Sequence, residues 1–221
     1  MRTLHHSWLD AGSRLVRIVL AEKRQETELR LEKPWERREG FLRLNPAGSL
    51  PVLCEDGAVL AEPLAIVEYL EEVFPEPPLI GRTPLERAEM RRLCGWFMDK
   101  CRREVTELLV EEKLMKRFLR MGETDSAAIR AAHHNLKIHL GYVGYLAERR
   151  HYLAGGYFGL ADAAAAAHLS IADYFGDIAW DSFPAAKDWY MRVKSRRSLR
   201  GVLADRIAGL TPPKHYDKPD F

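Results

Sequence analysis

The stretch TLHHSWLDAGSRLVRIVLAEK places polar side chains between a short apolar run and an amphipathic run of helical period. Ser7 and Ser13 carry hydroxyls that could donate a hydrogen bond to a thiolate in this strand-to-helix turn. Asp10 would act in the opposite sense, because a nearby carboxylate raises the pKa of a thiol, ordinarily about 8.5, by disfavouring a second negative charge. Ser13 could instead cap a helix that begins near Arg14. Thiol activation and simple helix capping therefore both stay open.

The composition is that of an ordinary globular protein and argues against several functional classes. The 221 residues are 47% hydrophobic and 30% charged, and 34 basic against 32 acidic residues give a formal charge of +2. This balance gives no bulk reason to expect nucleic-acid binding. Asp162 and Asp173 interrupt the most apolar stretch, ADAAAAAHLSIADYFG, and polar residues interrupt the first ten positions. We therefore expect neither a membrane span nor a signal peptide.

The residues that often bind metals or form disulfides do not form a recognisable site. The three cysteines, which lack a CxxC spacing, are Cys54, Cys94 and Cys101. They predict reduced, structural thiols in a cytoplasmic protein. His5 and His6 would alternate across a strand, and His133 and His134 would be adjacent on a helix, so neither pair points at one ion. The sequence predicts no metal site.

Hydrophobic periodicity divides the chain into an α/β part and an all-helical part. Residues 1–80 alternate short apolar runs with helical periods in the order β-α-β-α-β-β-α, with a hairpin closed at Asp56-Gly57. The segment FPEPPLIGRTP, residues 74–84, holds four prolines and a glycine and is predicted to be a linker. Residues 81–208 show helical periods throughout, which predicts a helical bundle, and residues 209–221 form a tail.

This order of elements and three local motifs resemble the glutathione S-transferase superfamily. NPAGSLPVL resembles the loop before the family's third strand, LAEPLAIVEYLEEVFP its next helix, and FGLADAAAAAHLS its buried helix with a capping box at Gly159 and Asp162. The resemblance runs from about Arg2 to Ala208 and implies a thioredoxin-like domain over 1–80 and a helical domain over 81–208. It also implies that the Leu50-Pro51 bond is cis and that the Leu50 backbone pairs with the glutathione cysteine.

Two positions depart from the glutathione site that the resemblance implies. Asp10 occupies the activating position, where the family has Ser, Tyr or Cys, and Pro63 follows Glu62 where the family usually has Glu-Ser. Proline offers neither a hydroxyl nor an N–H to the γ-glutamyl carboxylate, although it suits the first position of a helix. Each lost hydrogen bond to a charged group would weaken binding by about 1.5–3 kcal/mol. We interpret Asp10, Leu50, Pro51, Glu62 and Pro63 as a vestigial glutathione site, which predicts no cofactor.

The loop EKPWERREGF has no evident use in a glutathione enzyme. It places Trp35 among charged residues that include Arg37 and Arg38. A tryptophan rimmed by charges is typical of an interface hot spot. The other interpretation is a ring folded onto the protein's own surface.

The tail GLTPPKHYDKPDF alternates aromatic, charged and proline residues. It is typical of a short docking peptide, with Tyr216 and Phe221 as anchors and Asp217 and Asp220, beside His215, as orienting charges. The surface to which the tail docks could equally be the protein's own.

The Asp-bearing turn, the Pro-Trp loop and the terminal HYDKPDF resemble one branch of the superfamily, the FtsZ-binding division proteins of alphaproteobacteria. This resemblance implies a non-catalytic cytoplasmic homodimer that acts at the division site, binds filaments of the tubulin-like GTPase FtsZ and links them to septal wall synthesis. The alternative is a transferase or peroxidase that uses glutathione, with Ser13 or Ser7 as thiol donor. Its apolar substrate pocket would lie near Trp96, Phe97 and Tyr174, whose spacing also fits a bundle core.

Overall fold

The computed structural model describes residues 2–221 and begins with a four-stranded sheet. The elements of this first part are β1 (Arg2–His6), α1 (Ala11–Glu22), β2 (Glu28–Leu31), a 3-10 turn (Pro34–Glu36), α2 (Glu39–Leu44), β3 (Val52–Glu55), β4 (Ala58–Ala61) and α3 (Pro63–Val73). The strand order is β2-β1-β3-β4, with β2 parallel to β1 and the other pairs antiparallel. The predicted order of elements is confirmed, and the sheet has the thioredoxin-like arrangement.

The β3–β4 hairpin lies beside the start of β1, and the loop before β3 lies beside the end of β1. The β3–β4 hairpin closes at Asp56 and Gly57, whose φ values of 49° and 87° suit a tight turn. The Leu50-Pro51 peptide bond is cis, as the family resemblance implies. A second cis bond, Glu76-Pro77, lies in the proline-rich segment between the two parts of the chain.

The second part of the chain is helical, as predicted. Its helices are α4 (Pro84–Gly95), which continues through π-helical turns (Trp96–Thr106 and Glu111–Met115) with α5 (Glu107–Val110) and α6 (Lys116–Leu119), then α7 (Ser126–Ala147), α8 (Leu160–Tyr174), α9 (Pro184–Lys194) and α10 (Arg197–Leu203). Thr83 begins this part with a reciprocal capping box to Glu86. The described residues contain no helix that is long and apolar enough to span a membrane.

Helix α8 lies at the centre of the bundle, and all of its residues are buried. The Asp162 carboxylate accepts hydrogen bonds from Gly159 N at 3.1 Å, Leu153 N at 2.9 Å and Trp189 Nε1 at 2.8 Å. Gly159 is needed at the cap, because an added Cβ would lie 2.8 Å from the backbone carbonyl oxygen of Leu79. The alanines that follow let neighbouring helices approach closely.

Buried arginines join α1 to the helical part. Arg14 is fully buried and donates to Ser170 Oγ at 2.7 Å and to the Trp8 carbonyl at 2.6 Å. Arg17 forms a bidentate pair with Asp205 at 2.7 and 2.9 Å. These charge-assisted hydrogen bonds hold the turn between β1 and α1 against the bundle.

Candidate functional site

Asp10 caps α1 and thereby sets the geometry of the turn. Its backbone is extended, and its carboxylate accepts a hydrogen bond from Ser13 N at 2.6 Å. The prediction that Ser13 caps a helix near Arg14 is wrong, because Asp10 supplies the cap acceptor and the helix begins at Ala11. Ser13 is fully buried at the third helical position, and its Oγ accepts a hydrogen bond from Ser7 N at 3.2 Å.

A cleft of about 660 Å³ opens between the first part of the chain and the helices. Its first wall includes Ser7, Asp10, Trp35, Leu50, Glu62 and Pro63. Its second wall is formed by Met98, Arg102, Glu107, Val110, Leu114 and Met115. The structure thus brings Trp35 together with most of the proposed glutathione residues, although the sequence predicted two separate sites. Ser13 does not line the cleft, so of the two hydroxyl candidates only Ser7 faces it.

Two prolines pack under the first turn of α1. A Cβ at Gly12 would lie 3.1 Å from Pro51 Cδ and 3.2 Å from Pro63 Cγ, so the helix approaches both rings closely. Pro63 occupies the first position of α3 and has no N–H to offer a ligand. Pro51 is buried beneath the cleft and does not line it. The prolines therefore support the floor of the cleft and provide no donor.

The charges of the cleft are mainly negative. Burial raises the pKa of Asp10, and its hydrogen bonds to Ser13 only partly oppose this effect, while the Glu62 carboxylate adds to the rise. Ser49 Oγ donates to Glu62 Oε1 at 3.2 Å. The guanidinium of Arg102 contacts the carboxylate of Glu107, and its Nε donates to a backbone carbonyl at 3.1 Å. The cleft therefore disfavours a thiolate or a ligand carboxylate near Asp10.

The Trp35 loop is held at the rim of the cleft. Trp35 lies in the 3-10 turn and is 37% exposed, so its ring lies at the surface and is partly covered by neighbouring residues. Burial alone would raise the pKa of Glu32, but the hydrogen bonds and charge of Arg38 outweigh it and lower that pKa. Arg38 therefore anchors the loop internally. Arg37 is exposed and takes a left-handed conformation at φ 46°.

The expectation that Tyr216 anchors the tail in a partner needs correction. Tyr216 is fully buried, and its ring packs edge-to-face against Tyr174 with centroids 5.1 Å apart. His215 lies next to it, with Nε2 2.9 Å from Asp173 Oδ1, and its carbonyl accepts from Lys194 Nζ at 2.8 Å. The protein's own bundle thus holds the first part of the tail.

Phe221 also lies on the bundle. Its ring stacks on His215 at 4.8 Å between centroids, and Lys194 Nζ lies 4.2 Å from the ring centroid. Asp217 and Asp220 are exposed between the two docked aromatics. The part of the tail that a partner can reach also includes Lys218, and Asp217 pairs with Arg206 at 2.5 Å, so its charges are mixed.

The alternative substrate pocket is misplaced. Phe97 is completely buried, Tyr174 is almost so, and Trp96 Nε1 donates to His139 Nδ1 at 3.0 Å beside Tyr142. None of the three predicted aromatics lines the cleft. The residues that do so on this helix, such as Met98 and Arg102, are one turn apart. A methionine and an arginine at this spacing are common on any helix, so the sequence did not indicate that Met98 and Arg102 line a pocket.

The three cysteines lie outside the cleft. Burial raises the pKa of Cys94 and of Cys101 to about 12, so both stay protonated at neutral pH. Within residues 2–221, no group of three or more His, Cys, Asp or Glu side chains is placed to hold a metal ion.

The chain is similar to known proteins along its whole length. The glutathione S-transferase N-terminal domain matches residues 9–78, and the glutathione S-transferase C-terminal domain matches residues 112–197. FtsZ-localized protein A of Caulobacter vibrioides is 51% identical over 224 aligned positions, which cover 100% of this chain and 98% of that protein.

Two solved structures share the fold closely. A glutathione S-transferase from Rhodospirillum rubrum superposes with a TM-score of 0.98 at 50% identity, and each chain is covered completely. FzlA from C. crescentus superposes with a TM-score of 0.96 at 50% identity, over 100% of this chain and 99% of the other. The chain therefore belongs to the glutathione S-transferase superfamily and, within it, resembles FtsZ-localized protein A.

Proposed function

We propose that this protein is a non-catalytic homodimer that binds FtsZ filaments and links them to septal wall synthesis during bacterial cell division. The observation that carries the proposal is the 51% identity to FtsZ-localized protein A over the full chain. A two-fold dimer suits this role, because two equivalent contacts can crosslink filaments and gain avidity. The protein would act in the cytoplasm at the division site.

The cleft supports a role without thiol chemistry. Asp10 stands where the family places the group that activates glutathione, and its carboxylate disfavours a second negative charge nearby. Pro63 removes a hydroxyl and an N–H from the position where the family holds the γ-glutamyl carboxylate. Both changes oppose glutathione binding, while Asp10 still caps α1 and Pro63 occupies the first position of α3.

Two surfaces are proposed to contact partners. The first is the rim around Trp35, with Arg37 as a neighbouring exposed charge. The second is the exposed part of the tail that carries Asp217 and Asp220, which is proposed to contact wall-synthesis proteins. Tyr216 and Phe221 would present this segment by holding it on the bundle.

The test is co-sedimentation with purified FtsZ assembled with GTP. The wild-type protein should pellet with the polymer, and Trp35→Ala should weaken binding by about 30-fold or more, as expected for a hot-spot tryptophan. Tyr145→Ala is the matched control, because Tyr145 is an exposed aromatic that does not line the cleft. Failure of the wild type to pellet, or equal binding by Trp35→Ala, would count against the proposal.

A second candidate, a transferase or peroxidase that uses glutathione, is favoured by Ser7, a hydroxyl-bearing residue that lines the cleft. Calorimetry with glutathione distinguishes the two. If glutathione gives no heat of binding up to about 10 mM, its binding free energy is weaker than about −3 kcal/mol. That result supports the non-catalytic proposal. Binding at tens of micromolar, and turnover that Ser7→Ala abolishes, would favour the enzyme.

A further inference from the structure

The cleft carries acceptors without matching donors. Asp10 and Glu62 line it together, and in residues 2–221 their hydrogen bonds come from the Ser13 backbone and the Ser49 hydroxyl, not from a basic side chain. Arg102, the basic residue of the opposite wall, is already in contact with Glu107. The guanidinium of Arg14 acts on Asp10 through its charge, but the burial of Asp10 outweighs it, so the carboxylates that line the cleft are only partly balanced.

A ligand with a positive charge would balance these groups. A carboxylate that is taken from water loses hydration energy, and a cation within hydrogen-bond distance restores part of it. An anionic ligand would face Asp10 and Glu62 without the N–H that Pro63 lacks. The chemistry of the cleft thus selects for ammonium or guanidinium groups.

The walls of the cleft are apolar around these charges. Trp35 lies at one side, and Val110, Leu114 and Met115 lie on the other. The face of an indole ring attracts a cation, and the alkyl stem of lysine or arginine can pack on the methionine and leucine side chains. Both features fit a basic side chain with an apolar neighbour.

The cleft also extends beyond a single side-chain pocket. An adjoining recess of about 440 Å³ shares Asp10, Arg102 and Val110 with it and continues to Leu108 and Glu111. Asp10 therefore lies between two recesses, and the surface passes it on both sides. This shape fits an extended polypeptide better than an isolated amine.

We propose that the cleft binds a segment of a partner protein that presents a lysine or arginine beside an apolar residue, with Asp10 and Glu62 as the acceptors of its charge. The inference rests on the proposed function, because it assumes that the ligand is part of a partner protein. It adds the chemistry of the segment that is bound and the carboxylates that recognise it.

The direct test uses peptides as probes. Acetyl-Ala-Leu-Lys-Leu-Ala-amide and its counterpart with glutamine in place of lysine are titrated into the full-length protein by calorimetry. The lysine peptide should bind the wild type about tenfold more tightly, or better, than the glutamine peptide. Equal affinities, or no heat from either peptide up to about 10 mM, would overturn the inference.

Charge-neutral variants locate the effect. Asp10→Asn retains a good helix cap and Glu62→Gln retains the side-chain length, so the double variant should fold as the wild type does. The preference for lysine should disappear in the double variant and persist in Glu148→Gln, an exposed carboxylate on the helical part that does not line the cleft. A preference that survives in the double variant would contradict the assignment, and thermal unfolding checks the fold.

Co-sedimentation with FtsZ separates this inference from the proposed function. If the wild type pellets with FtsZ and the double variant pellets about tenfold more weakly, both stand. If the double variant pellets as well as the wild type, the cleft assignment fails and the proposed function stands. If the wild type does not pellet, the proposed function fails and the peptide titration alone decides whether the cleft takes a basic segment.

Discussion

The Trp35 loop and the tail have the same kind of sequence, yet the structure treats them differently. Both place aromatic residues among charges and prolines, and both are predicted to bind partners. Trp35 is 37% exposed at the rim of the cleft, whereas Tyr216 is fully buried. The tail bonds to Asp173 and Lys194 of the bundle. The loop, in contrast, is held by its own Glu32–Arg38 pair and places Trp35 at the wall of the cleft. An aromatic residue among charges thus indicates a contact without indicating whose surface completes it.

The largest expected effect is the loss of stability in Tyr216→Ala. The free energy of unfolding should fall by about 3–5 kcal/mol, because the substitution leaves a cavity against Tyr174 in a fully buried site. Urea unfolding followed by circular dichroism measures the change. Tyr145→Ala is the control and should change stability by less than about 0.5 kcal/mol. Equal stability of the two variants would show that Tyr216 does not stabilise the fold and is available to bind a partner.

Trp35→Ala should weaken partner binding more than it weakens the stability of the fold. The free energy of binding to FtsZ filaments should weaken by about 2 kcal/mol or more, the range for a hot-spot tryptophan. The free energy of unfolding should change by less than about 1 kcal/mol, because the ring is partly exposed and outside the core. Filament pelleting and urea unfolding on the same preparation measure both quantities. A variant that unfolds much more easily would show that the ring serves the fold.

Removal of Phe221 should fall between these two cases. The ring is partly buried and contacts His215 and Lys194, so its loss should cost about 1–2 kcal/mol of stability. Deletion of Asp220 and Phe221 is also predicted to abolish partner function while the fold stays intact. Asp220→Asn separates the two effects, because it removes the exposed charge and keeps the docked ring. Loss of division function with Asp220→Asn at unchanged stability would assign that function to the carboxylate.

The contrast also shows what the sequence could predict. Hydrophobic period and turn chemistry are local, so the strands, the hairpin at Asp56-Gly57 and the helical part followed from them. The family resemblance added the cis bond before Pro51. The buried state of Tyr216 could not be predicted, because its contact with Tyr174 joins residues 42 positions apart in the chain. For the same reason, no local pattern placed Trp35 and Asp10 in one cleft.

The cap of α1 gives the smallest expected effect and tests whether Asp10 serves the fold or a ligand. Asp10→Ala should lower the free energy of unfolding by about 1 kcal/mol, because the Ser13 N–H loses its acceptor. Asp10→Asn should cost only a few tenths of that, since asparagine caps helices about as well as aspartate. Urea unfolding at neutral pH compares the two variants. Equal losses in both would mean that the charge of Asp10, rather than its cap, stabilises the fold.

The pH dependence of the same pair sharpens this test. The pKa of Asp10 in the folded protein is raised by burial above its ordinary value of 3.8, so the folded state binds more protons than the unfolded state above that pH. The Asp10 contribution to stability is therefore greatest below pH 3.8 and declines as the pH rises through the folded pKa. The asparagine side chain does not titrate, so the stability of Asp10→Asn relative to the wild type should increase between acidic and neutral pH. A relative stability that decreases over this range would mean that the charge of Arg14 outweighs the burial of Asp10, and Glu62 alone would then remain in the cleft to recognise a basic segment.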